Sequence, residues 1–203
     1  MKGKQLVTNW VALGLMAWAV YLAWPRRMVW LRSSVNDKMY HVRNVPEAQQ
    51  VADRLATLET RLRDFLSQAE ELAPGDRRLV NIRKRWRGTL GEVADDKDVA
   101  YTMGKDAVAV CVRDRQTGAL EPENTTMFVL LHELAHVASE KYGHDKDFWR
   151  NMQFLLELAE KTGTYTFQNF DSSPSSFCGY DLSSSPLTCL KAGTCVSQMT
   201  TLK

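Results

Sequence analysis

The spacing of apolar residues divides the chain into segments of different kinds. Leu6 to Trp24 contains no charged residue, and nineteen residues of helix would span roughly 29 Å, about the hydrocarbon thickness of a bilayer. Pro46 to Leu72 is patterned differently. Val51, Leu55, Leu58, Leu62, Phe65, Leu66 and Leu72 recur at three and four residues with charged residues between, which predicts a long amphipathic helix started by Pro46 and stopped at Pro74-Gly75. Val99 to Met103 and Ala107 to Val112 predict two strands joined at Gly104-Lys105-Asp106. Met127 to Leu131, with Leu134, Ala135, Val137 and Ala138, predicts a buried helix capped by Asn124 or Thr125 after Pro122. Asp145 can cap another helix, striped by Phe148, Trp149, Met152, Leu155, Leu156 and Ala159 and ending near Thr162-Gly163. From Thr164 the chain is rich in Ser, Thr and Pro with isolated aromatics, which predicts an irregular tail over the domain.

These elements predict an α+β fold with a small sheet. The expected division is a membrane anchor over residues 1–33, a linker and amphipathic helix over 34–75, a catalytic core over 76–163 and the tail over 164–203.

Charge and aromatic placement sharpen the reading of the amino terminus. Trp10, Trp24 and Trp30 lie toward the ends of the apolar run, and Pro25-Arg26-Arg27 marks an exit into water, as expected of an uncleaved single span over residues 6–24. Two rivals are weaker. The run continues past the Ala17-Trp18-Ala19 site that a signal peptide would use, and a core helix would need a polar face. Arg26, Arg27 and Arg32 on one flank, against Lys2, Lys4 and the terminal amine on the other, lean toward a cytoplasmic main domain.

The net charge of +2 excludes little, but Arg77, Arg78, Arg83, Lys84, Arg85 and Arg87 form a basic run around Trp86. With no nucleic-acid motif beside it, the run reads as a solvated face with Trp86 in the core, and nucleic acid is not an expected partner. Cys111 falls in a predicted strand while Cys178, Cys189 and Cys195 crowd the tail, and their spacing fixes neither a pairing nor a second metal site.

The chemistry concentrates in the buried helix. His132-Glu133-Leu134-Ala135-His136 is an H-E-x-x-H sequence, and helical spacing puts both imidazoles one turn apart on one face, able to hold one Zn²⁺. His144 follows eight residues after His136, past Tyr142-Gly143 where the chain can turn back, and is the expected third ligand. Three protein ligands leave a zinc position open for water, and Glu133 stands where a general base would take that water's proton. Tyr142, Tyr165 and Tyr180 are candidate donors to a developing oxyanion, each with an ordinary packing role as its alternative. A strand just before such a helix can also serve as the edge to which an extended peptide adds its backbone.

These residues carry a family resemblance. His132 to His136, followed by Gly143-His144-Asp145-Lys146-Asp147-Phe148-Trp149, resembles the WLM-type zinc metallopeptidases, relatives of the proteases that digest DNA–protein crosslinks. Tyr101 to Lys105, Cys111-Val112-Arg113, Phe177 to Tyr180 and Ser184 to Leu187 bring the chain nearest to the WLM-like metallopeptidases of large DNA viruses. The resemblance implies a zincin-like fold, His132, His136 and His144 as metal ligands and Glu133 as the base. It also implies a viral membrane or virion setting, with virion proteins as partners. The gap from Val137 to Gly143 is longer than the WLM pattern, which weakens the implication of crosslink substrates more than that of zinc. The expected function is therefore a membrane-anchored zinc metallopeptidase acting on protein or peptide. The rival is a membrane or virion-associated structural protein that keeps the fold without turnover.

Overall fold

Alternation along five short strands builds a sheet with one face for helices. A computed structural model describes residues 27–95 and 97–191. Strands β1 (Met28–Arg32), β2 (Met39–Arg43), β3 (Thr89–Glu92), β4 (Ala100–Met103) and β5 (Ala107–Val110) lie in the order β1-β2-β3-β5-β4. β2, β3 and β5 run parallel, while β1 and β4 pair antiparallel at the two edges. Because successive side chains point to opposite faces, Tyr40, Val42, Leu90, Val108 and Val110 are buried against the helices. Trp30, His41, Gly91, Ala109 and Tyr101 stand opposite one another in a row across the other face. The row of Leu90, Val108 and Thr102 belongs to the helix face. That register aims Thr102 at the helix above it.

The helical layer follows the predicted stripes. α1 (Ala48–Leu72) buries Val51, Leu55, Leu58, Leu62 and Phe65 against β1, β2 and β3. It is followed by α2 (Arg77–Arg85) and, after the sheet's last three strands, by α3 (Glu123–Ala138), which lies over β4 and β5. α4 (Lys146–Lys161) packs on α3. α3 has twelve buried residues among its sixteen, so it is the central helix of the molecule. Glu123 in its first turn accepts an ion pair from Arg61 and lies 3.5 Å from Arg54, which ties α1 to the start of α3.

Three expectations change. Residues 28–43, expected as the end of the anchor and the start of the linker, form the β1–β2 hairpin, because Met28 to Leu31 and Tyr40 to Val42 supply the sheet strands that the apolar stripe of α1 needs as a partner. One buried cluster runs from Tyr40 to Leu187, so the expected boundary at residue 75 does not divide the core. The tail is less irregular than expected: β6 (Ser175–Phe177) and β7 (Tyr180–Leu182) form a hairpin and α5 (Pro186–Lys191) follows. Buried Tyr165, Phe170 and Phe177 hold it down, and Phe170 meets the ring of Phe128 edge-on at 4.9 Å. A disulfide joins Cys111, just after β5, to Cys178 in the β6–β7 turn.

The expected caps divide. Asp145 accepts from the Phe148 amide at 2.9 Å and starts α4. Pro122 occupies the cap of α3, and Asn124 instead exchanges hydrogen bonds with the Thr166 backbone. The expected anchor over residues 6–24 lies outside the described residues, among which no helix is long and apolar enough to cross a membrane.

Candidate metal centre

Helical spacing brings His132 and His136 to one face of α3, and the chain after it returns the third imidazole. α3 stops at Ser139, and Gly143, at φ +90°, takes a turn that a side chain would strain. His144 then precedes the Asp145 cap, so the start of α4 fixes its position. The Nε2 atoms of His132 and His136 each lie 3.1 Å from Nε2 of His144, and one ligand atom from each ring falls within 4.8 Å of the others.

A single imidazole nitrogen carries either one proton or one lone pair, so His144 Nε2 cannot satisfy both neighbours by hydrogen bonds. Three lone pairs converging on one point fit a cation. Ligands about 2.0–2.1 Å from a tetrahedral Zn²⁺ would lie roughly 3.3 Å apart, close to the separations found. The three histidines form a cluster that could hold a metal ion. Phe148, fully buried, supports all of them, with its ring centroid 4.8, 4.3 and 4.6 Å from those of His132, His136 and His144.

Electrostatics suits the donor set. Burial, reinforced by the neighbouring imidazoles, pushes His132 down to about 3. Burial first, then His144 and Lys105, pushes His136 down to about 4, and burial also lowers His144. All three are thus neutral near pH 7, as metal ligation requires. Glu133 is buried beside them, and the loss of water raises its carboxyl to about 7, opposed by a hydrogen bond from Thr102. Thr102 Oγ1 donates to Glu133 Oε2 at 2.7 Å across the gap between β4 and α3. Oε1 has no hydrogen bond among the described residues.

The carboxyl end of α3 is held by the basic run. Arg85 donates to the Val137 and Ser139 carbonyls at 2.8 and 2.9 Å, Asn81 donates to Ala138 at 3.0 Å, and Lys105 donates to Ser139. These donors satisfy the carbonyls that a helix end leaves open and place positive charge at the negative end of its dipole. Other members of the run are also engaged, Arg78 with Asp76 and Arg83 with Glu70, while Trp86 is buried.

Thr102 and Arg85 were not among the expected site residues. Each reaches α3 from a distant stretch, and the only trace in the sequence was a hydroxyl within the strand that precedes the helix. The tyrosines separate. Tyr165 is buried and accepts from the Gln168 amide, Tyr180 donates to the Lys97 carbonyl at 2.8 Å, and Tyr142 is 85% exposed on the turn before His144. The fourth histidine, His41, stacks on Trp30 at 4.8 Å on the sheet's other face.

No family model matches the chain, and no solved structure matches it. It is 30% identical over 159 residues to the uncharacterized protein R325 of Acanthamoeba polyphaga mimivirus, covering 74% of this chain and 80% of that one. It is 38% identical over 74 residues to the uncharacterized protein 042R of Invertebrate iridescent virus 3, covering 36% of this chain and 46% of the relative. Uncharacterized protein 136R of Invertebrate iridescent virus 6 is 32% identical over 68 residues, 32% of this chain and 38% of the relative.

Proposed function

Because the chain belongs to the viral protein family that includes mimivirus R325, whose members' names carry no activity, we propose a function from the chemistry of the site: zinc-dependent hydrolysis of peptide bonds by a WLM-like, zincin-type metallopeptidase. The observation that carries this reading is the buried carboxylate of Glu133 beside three converging neutral imidazoles. A site built only to hold a metal has no use for a buried carboxylate next to its ligands, held by a hydrogen bond from Thr102 on one oxygen alone.

His132, His136 and His144 would hold Zn²⁺, which supplies a Lewis acid and lowers the pKa of water to about 7. The chain's own residues do the rest. Thr102 fixes one oxygen of Glu133, so the other is free to take the proton of the attacking water and return it to the leaving amine. β4 lies at the sheet edge and its Thr102 reaches this carboxylate, so an extended substrate that adds its backbone to β4 is brought to the strand that holds Glu133. Arg85, Asn81 and Lys105 keep the end of α3 fixed while this happens.

The apolar run from Leu6 to Trp24 would anchor this domain to a membrane, and viral relatives favour a viral membrane or virion. The Cys111–Cys178 disulfide favours an oxidising side over the cytosol, against the lean of the flanking arginines.

Two variants of the zinc-loaded chain test the proposal. His136→Ala is expected to lose metal and hydrolysis together. Glu133→Gln is expected to keep stoichiometric zinc and lose about 10²- to 10⁴-fold in rate. Wild type that binds zinc yet cleaves no unfolded protein faster than Glu133→Gln would overturn the reading.

A further inference from the structure

A pocket opens on the tail side of the imidazoles, and the hydrolytic reading alone gives it no role. It encloses about 270 Å³, below the roughly 300–1,000 Å³ of sites for drug-sized ligands. That is room for one side chain. Phe128 of α3, Trp149 and Met152 of α4 and Leu182 of β7 supply its apolar wall, and His132 and His144 line its metal side. A side chain entering it therefore belongs to a residue flanking the bond held at the imidazoles.

One formal charge lines the pocket among the described residues, the exposed carboxylate of Asp181. It makes no ion pair with any described Lys or Arg. We propose that the pocket receives a lysine or arginine of the substrate and that Asp181 selects it. The inference rests on the peptidase reading and adds a substrate class to it. An amphipathic side chain fits the surfaces in order: the methylene stem lies along Phe128, Met152 and Leu182 while the head reaches the wet rim. Trp149 presents a ring to which a cation is attracted. A glutamate in the same place would meet Asp181 with like charge.

The test uses the full-length, zinc-loaded chain and peptides that differ only at the residues flanking the cleaved bond, carrying Arg, norleucine or Glu. kcat/KM is expected to fall in that order, with Arg ahead of norleucine by about five-fold, the scale of one exposed ion pair. Asp181→Asn should remove most of the lead of Arg over norleucine, leaving only what the Trp149 ring supplies, and Asp181→Lys should put Glu ahead of Arg. The same ranking is expected in Kd on Glu133→Gln. Cleavage indifferent to charge, or a ranking unmoved by Asp181→Lys, overturns the proposal. Binding that ranks by charge without cleavage in wild type supports the pocket and sinks the peptidase reading; absence of both binding and cleavage overturns both.

Discussion

Burial moves Glu133 and the helix histidines in opposite directions, because in each case it disfavours the charged form. The consequence for the metal-free protein has a definite sign. His132 and His136 titrate near 3 and 4 when folded against an ordinary value of 6.5, so below pH 6.5 the unfolded chain binds two more protons at these sites and stability falls. His144 acts in the same direction. Glu133 opposes them: its carboxyl is raised from 4.5 to about 7, so between those values the folded chain binds one proton more. The imidazoles outnumber the carboxylate, and net stability is expected to decline from pH 6.5 to 4.5. Glu133→Gln removes the opposing proton and should steepen the decline. Thermal unfolding of the metal-free chain at half-unit pH steps checks both; a Tm that is flat or rises toward pH 4.5 contradicts the burial argument.

At the scale of elements, the start of α4 is coupled to the histidine cluster. The Asp145 carboxylate accepts from the Phe148 amide, His144 immediately precedes that cap, and the Phe148 ring lies against all three imidazoles. Asp145→Ala should cost about 1 kcal/mol of stability and weaken metal binding as well, since His144 loses its fixed place. Asp145→Asn, which can still cap, should restore much of both. Competition with a chelator measures the affinity, and an unchanged affinity in Asp145→Ala would show that His144 is held by other means.

Such local couplings are the legible part of this chain. The four-residue spacing of His132 and His136, the Gly143 turn and the Asp145 cap all lie within one stretch where helix geometry decides what meets what. Thr102 stands thirty-one residues before Glu133, and its approach depends on β4 being laid antiparallel to β5 beneath α3. The β1–β2 hairpin is hard to read for another reason. Val29, Trp30 and Leu31 follow an apolar run and two arginines, so the segment resembles a membrane exit, and only the stripe of α1 across the sheet identifies it as an edge. The basic run is a largely solvated face around a buried Trp86, as its composition suggests, but nothing in that composition shows that Arg85 reaches carbonyls more than fifty residues away.

For the whole molecule, what matters is which compartment the core occupies. The Cys111–Cys178 link closes a loop of 67 residues, worth about 4 kcal/mol in the chain-entropy account. It binds the hairpin that carries Asp181 to the end of β5. Such links persist in oxidising surroundings, and Leu6 to Trp24 has the length and apolarity of a single span. The expected arrangement is one span with the amino terminus on the cytosolic side and residues 27–191 across the membrane from it. Membrane vesicles that keep their cytosolic face outward test both parts. The full-length chain should resist extraction at alkaline pH, and added protease should leave everything after Trp24 intact until detergent opens the vesicles. Free release at alkaline pH, or a mature amino terminus near Val20, would refute the tether. Digestion of the domain in sealed vesicles would put it in the cytosol and leave the disulfide without an oxidising environment to keep it.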